Sequence, residues 1–258
     1  MEVIKVKTSQ GGLGKGNGCE LAPDLIIEKF NEMFLNENFL ENKIDIFDID
    51  VVRGNIEETN SNIYKSVLNF NKGIFIGGDH SISYNIFKAF STKYKNPGLL
   101  VFDAHPDCEV CTDIATHEDF VRKLIDDCYL KSDNIIIVGI RSFSKNEIEF
   151  LRQNKIRFFS MKDIFNDLQN VCDEIMELSR DFDGLYLSID IDVVDPAYAP
   201  GTGYPEVGGL SSRELIYFVQ RLKLLKNLKF IDIVEINPTK DVNDLTVILG
   251  AKILKELI

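Results

Sequence analysis

The sequence predicts an α/β fold, a three-layer α/β/α sandwich in which about eight mainly parallel strands lie between two layers of helices. Three observations carry this expectation. Short β-branched runs alternate with stretches of helical periodicity along all 258 residues. Several runs, among them Ile74-Phe75-Ile76, Leu99-Leu100-Val101-Phe102 and Ile135-Ile136-Ile137-Val138, are apolar throughout, as strands covered on both faces should be. No repeat, low-complexity tract or Pro/Ser-rich linker interrupts the pattern, so residues 1–258 read as a single domain.

Taken in order, the chain opens with an alternating strand over residues 3–6. It then passes through the glycine-rich segment 10–18 to a helical repeat over 23–34. A β-branched run at 44–51 precedes helical periodicity over 56–70. The apolar run 73–76 leads to a helix over 81–94, and 99–102 leads into an acidic loop. Strand 135–138 is followed by helix 145–153, strand 156–159 by helix 168–178, strand 185–189 by helix 211–224, and strand 230–234 by helix 245–258.

Composition narrows the class. Hydrophobic residues make up 45% of the chain, enough for a full core. A net charge of −12 disfavours nucleic acid and anionic membranes as partners, and is compatible with a cationic small molecule. The five cysteines are an odd number in a chain too long to need staples, so they read as reduced thiols in a cytoplasmic protein. The first residues lack the apolar stretch of a signal peptide, and no apolar run approaches the ~18 residues of a membrane-spanning helix.

The chain contains three histidines, and two of them, His80 and His105, sit in the acidic segments Gly77-Gly78-Asp79-His80-Ser81 and Asp103-Ala104-His105-Pro106-Asp107. Asp190 and Asp192 form a further acidic pair. Each of these segments follows an expected strand, as does Glu235, and in parallel sheets ligands bind at the carboxyl ends of strands. Alternate residues of an extended segment point to one side, so Asp103, His105 and Asp107 can converge. Clustered carboxylates after apolar runs repel one another unless cations neutralise them. His80, Asp103, His105, Asp107, Asp190 and Asp192 thus form a candidate ligand set for two divalent cations. This mixture of carboxylates and imidazoles suits Mn²⁺ better than a thiolate-bound or all-imidazole Zn²⁺. Such a pair can activate a water for attack.

Weaker motifs carry less. The N-terminal glycines do not form a phosphate loop, because Gly16 rather than Ser or Thr follows Lys15. Cys108-x-x-Cys111 has no second pair, so it reads as two small thiols lining the site loop.

The acidic segments above, together with Ser188-Ile189-Asp190-Ile191-Asp192-Val193-Val194-Asp195-Pro196, Ala199-Pro200-Gly201-Thr202-Gly203, Gly208-Gly209-Leu210 and Glu235-Ile236-Asn237-Pro238, closely resemble the ureohydrolase family of arginases and agmatinases. The resemblance implies the arginase/deacetylase-like sandwich and two Mn²⁺ ions per subunit. By position it assigns His80, Asp103, Asp107 and Asp190 to one ion and Asp103, His105, Asp190 and Asp192 to the other, with Asp103 and Asp190 bridging. Glu235 takes the place of the carboxylate that pairs with a guanidinium, and His117 that of the histidine passing a proton to the leaving amine. With Asp107 these two make up the expected catalytic group. The implied reaction releases urea and an amine from a small cationic guanidino substrate, in a homo-oligomeric trimer or hexamer.

Pro200-Gly201-Thr202-Gly203 and Gly139-Ile140-Arg141-Ser142 look like agmatinase forms, which implies agmatine as substrate and putrescine as product. The alternatives are an arginase or other guanidino-acid hydrolase, and a catalytically silent metal-binding regulatory module. A one-zinc deacetylase-like enzyme fits the full ligand set less well. Glu118 after His117, Tyr204 and the short loop 108–116 depart from the usual pattern.

Overall fold

Side chains alternate across a strand, so a strand apolar at every position must be covered twice. The computed structural model, which describes residues 1–40 and 43–258, shows this arrangement. Its strands are β1 (Glu2–Val6), β2 (Asp45–Asp48), β3 (Gly73–Gly77), β4 (Pro97–Phe102), β5 (Ile135–Ile140), β6 (Arg157–Ser160), β7 (Gly184–Asp190) and β8 (Leu228–Val234). They form one sheet in the order β2-β1-β3-β8-β7-β4-β5-β6. Every pairing is parallel, one step beyond the mainly parallel sheet expected.

The helices are α1 (Ala22–Glu32), α2 (Ile56–Val67), α3 (Ile82–Ser91), α4 (Phe120–Asp126), α5 (Lys145–Gln153), α6 (Met161–Asn166), α7 (Leu168–Ser179), α8 (Ser212–Leu222) and α9 (Leu245–Leu257). Leu100 and Phe102 of β4 and Ile136 and Val138 of β5 join α1, α6, α7, α8 and α9 in one apolar cluster. Their neighbours Leu99, Val101, Ile135 and Ile137 join α2, α3, α4 and α5 in the other. The two-residue period of the strands thus divides the core into two halves, one on each face.

The expected elements are all present with shifted ends. Residues 44–51 shorten to the exposed edge strand β2, and 156–159 move by one to β6. The helices expected over 56–70 and 81–94 stop at Val67 and Ser91. α4 and α6 were not expected, because seven and six residues are too few to display a helical period.

One close approach sets the site. The Gly78 N–H donates to Val6 O at 3.1 Å, Asp79 N–H to Thr8 O at 3.1 Å, and Glu235 N–H to Gly78 O at 2.9 Å, tying the ends of β1, β3 and β8 together. A Cβ on Gly78 would lie 1.6 Å from Thr8 O, so only glycine fits. Gly78→Ala is expected to cost about 3 kcal/mol or more by urea denaturation, because a backbone rather than a flexible side chain must move. A loss below half that would show that the β1–β3 seam is not rigid.

Candidate metal centre

Neighbours in the sheet, β3, β8, β7 and β4 end side by side and deliver ionisable groups to one crevice. His80 follows β3, Glu235 follows β8, and Asp103, His105 and Asp107 follow β4. Asp190 closes β7, with Asp192 in the 3-10 turn behind it. His80 Nδ1 lies 2.9 Å from Asp107 Oδ2, 3.1 Å from Asp190 Oδ2 and 3.2 Å from Asp103 Oδ2. His105 Nδ1 lies 3.0 Å from Asp192 Oδ2 and 3.5 Å from Asp103 Oδ1. Two groups could each hold a metal ion: His80 with Asp103 and Asp190, and His105 with Asp103 and Asp192. All six candidate ligands therefore come together. Asp103 belongs to both groups, whereas Asp190 belongs to the first and turns Oδ1 to accept the Asp192 N–H at 2.9 Å.

All four aspartates are buried, and like charges this close repel. Burial and the charges of Asp192 and Asp103 push Asp190 well above the carboxylate range; burial and Asp103 push Asp107 up to about 8. Burial works against charge on His80 and His105 too, but their carboxylate contacts outweigh it and raise both imidazoles. Raised carboxyls beside raised imidazoles mark a shortage of positive charge in the cluster, which a divalent cation would supply from one fixed point. His80 Nδ1, Asp103 Oδ2 and Asp107 Oδ2 are buried without an aligned hydrogen-bond partner although they crowd one another. Lone pairs converging in this way, none used in a hydrogen bond, fit ligands of a shared ion.

Behind His80 stands a carboxylate that sequence reasoning missed. Asp232, fully buried in β8, accepts hydrogen bonds from Ser83 Oγ at 2.6 Å, Ser188 Oγ at 2.6 Å, Ile189 N–H at 3.3 Å and the Tyr186 hydroxyl. Because the Ser188 proton is committed to Asp232, Ser188 accepts from His80 Nε2–H at 2.8 Å, which turns Nδ1 toward the aspartates. The signal was present as a lone aspartate inside the otherwise apolar run 230–234, where an unpaired charge is costly.

Glu235 and Asp107 are non-glycine residues in the left-handed backbone region, with φ of 61° and 50°. Such strain, about 1–2 kcal/mol each, is held where the surroundings over-determine it. Glu235 Oε1 accepts the His80 N–H at 2.8 Å and lies 3.2 Å from His117 Nδ1. Burial opposes charge on His117, yet the contact with Glu235 pushes its pKa up to about 9. The glycine-rich segment positions this histidine. His117 N–H donates to Gly11 O at 3.1 Å, and Gly11 N–H to Asp79 Oδ2 at 3.1 Å. A cavity of ≈ 210 Å³ lies over the centre, with His105, His117, Glu118, Glu147, Thr202 and Tyr204 in its wall. Cys108 and Cys111 are free thiols and do not line it, contrary to expectation, because Cys108 is buried with Sγ turned to Pro106 O at 3.2 Å.

A parallel α/β sandwich with two carboxylate–imidazole groups at its switch crevice is the architecture of a binuclear metallohydrolase. Residues 3–258 match the Arginase family, and the chain belongs to it. It is 31% identical over 240 residues to an arginase of Staphylococcus aureus (strain COL), covering 87% of this chain and 76% of that one. Its fold superposes with a TM-score of 0.93 on the formimidoylglutamase of Bacillus subtilis at 26% identity, covering 99% and 85% of the two chains. A hypothetical agmatinase of Burkholderia thailandensis shares the fold with a TM-score of 0.88 at 24% identity, over 99% and 84% of the chains. Among the described residues no helix is long and apolar enough to cross a membrane.

Three outcomes are expected. His117 charged against Glu235 stabilises the fold fully below the ordinary value of 6.5, and the contribution fades as pH rises through about 9. In chelator-treated protein the raised groups of the cluster titrate across the same window and also lower stability as pH rises, so His117→Gln should reduce the fall in unfolding free energy by on the order of 1.4 kcal/mol per pH unit rather than abolish it. An identical slope in the variant would contradict the assignment. Asp232→Ala strands three buried hydroxyl donors and should cost about 3–5 kcal/mol. Asp232→Asn, which keeps the size, should weaken metal affinity by about 10–100-fold in competition titrations.

Proposed function

We propose that the protein is a manganese-dependent hydrolase that converts agmatine to putrescine and urea. The observation that carries this reading is the cavity wall. Beyond the candidate ligands and Glu235 it holds the carboxylates Glu109, Glu118 and Glu147, and no lysine or arginine. Arg141, the nearby guanidinium, is committed to carbonyls, donating to Asp192 O at 2.6 Å, Glu206 O at 2.7 Å and Val207 O at 3.2 Å. A substrate cationic at both ends fits such a wall. The carboxylate of arginine, or those of formimidoylglutamate, would meet that negative charge with no lysine or arginine among the described wall residues to compensate it.

His80, Asp103, Asp107 and Asp190 would hold one ion and Asp103, His105, Asp190 and Asp192 the other; four carboxylates and two imidazoles favour Mn²⁺. Bound there, the metals would supply Lewis acidity and lower the pKa of a water. Glu235 accepts the N–H fork of the guanidinium, a geometry that suits a carboxylate. Its strained backbone aims the side chain at the cavity rather than into the core. His117 retains a proton at neutral pH beside Glu235. As water adds to the guanidinium carbon and the bond to the alkyl nitrogen breaks, His117 gives that nitrogen its proton.

The curated relative at 31% identity is an arginase, which makes arginine the competing substrate. Manganese-loaded protein should release urea from agmatine faster than from arginine, 4-guanidinobutanoate or 3-guanidinopropanoate in a colorimetric assay. Asp190→Asn should lower kcat by at least about a hundredfold, more than loss of a supporting residue behind a ligand. Urea from arginine alone would make the protein an arginase. Silence on all four would favour the regulatory module.

A further inference from the structure

We propose that Glu118, oriented by Tyr204, binds the distal ammonium of an ω-aminoalkyl guanidine and so determines which tail the enzyme accepts. This rests on reading the cavity as a guanidino-hydrolase site. Glu118 Oε1 accepts a hydrogen bond from the Tyr204 hydroxyl at 3.0 Å and lies 3.8 Å from His117 Nε2. On the opposite side of the same ring, Nδ1 faces Glu235 at 3.2 Å. One imidazole therefore separates a carboxylate suited to a guanidinium from a second carboxylate farther out. That is the charge pattern of a short chain with a guanidinium at one end and an ammonium at the other.

Glu118 is held from its backbone, because its carbonyl accepts Glu109 N–H at 3.0 Å and its N–H donates to Thr116 Oγ1 at 3.4 Å. Its side chain is 40% exposed, so it can receive a ligand without a rearrangement of the core. Among the described residues its ion-pair partner is His117, which leaves the carboxylate without a lysine or arginine.

Independent signs of a polar ligand lie in the same wall. His117 Nε2 and Thr202 Oγ1 are buried without hydrogen-bond partners, on residues only 5% and 2% exposed, and both residues line the cavity. Buried polar atoms left unsatisfied inside a cavity mark positions that a bound group or its water completes. Tyr204 also packs its ring 5.7 Å from that of His117, while Lys15 Nζ sits 5.3 Å from the Tyr204 centroid and, among the described residues, makes no ion pair with Glu118.

The test compares agmatine with n-pentylguanidine, which replaces the ammonium by a methyl group and leaves the guanidinium unchanged. In the manganese-loaded protein, Glu118→Gln should lower the ratio of kcat/KM for agmatine over n-pentylguanidine about fivefold, the scale of a partly exposed ion pair. The change should appear mainly in KM. Tyr204→Phe should lower the ratio less, and Glu118→Lys should favour 4-guanidinobutanoate. A ratio measured within each variant does not depend on how much of it folds. Wild-type turnover of agmatine with an unchanged ratio in Glu118→Gln would overturn the role of Glu118 alone. A wild type that hydrolyses 4-guanidinobutanoate but not agmatine would overturn the agmatine reading, and this proposal with it.

Discussion

Four aspartates buried within reach of two imidazoles are the constraint around which this fold is built. Gathering like charges away from water is unfavourable by several kcal/mol unless positive charge is gathered with them. The raised imidazoles, the raised carboxyls of Asp107 and Asp190 and the orphaned Oδ atoms all express that imbalance, and a pair of divalent cations would resolve it. A parallel sheet is well suited to hold such a cluster, since its strand ends present several short loops to one crevice while the helices cover both faces.

Holding the cluster in place takes rigid backbone as much as hydrogen bonding. Gly78 admits the close passage of β1, and Asp107 and Glu235 are held in the left-handed backbone region. Asp232 and Ser188 fix the rotation of the His80 ring from the sheet side. The glycine-rich segment anchors the backbone of His117 through Gly11 and Asp79. It serves as scaffolding for a histidine rather than as a cradle for an anion.

Negative charge then extends from the candidate metal centre into the cavity above it. Glu109 and Glu118 in the described cavity wall continue the sign of the aspartate cluster below, a pattern that favours a cation over an anion. Family members with this fold act on substrates whose tails differ, as the arginase and formimidoylglutamase among the relatives illustrate. In this chain Glu118 and Tyr204 of the cavity wall are loop residues, which vary more readily than residues at strand ends.

Fold class and the candidate ligand residues were legible in the sequence because both depend on local patterns. Apolar runs of two-sided strands, helical periods between them and scarce histidines inside acidic segments need no knowledge of distant contacts. Even the convergence of His80, Asp103, Asp190 and Glu235 followed from the rule that parallel strands bind ligands at their carboxyl ends. Other features were decided by strand order. β8 lies between β3 and β7, so an aspartate in its middle comes to support a histidine 152 positions earlier in the chain, and no local pattern encodes that adjacency. The pairing of Glu118 with Tyr204 has the same origin, since two loops remote in sequence meet only because their strands end at one crevice. Local residue chemistry therefore determined what the site is made of. Tertiary packing decided which groups face one another, because distances across a sheet depend on strand neighbours rather than on sequence separation.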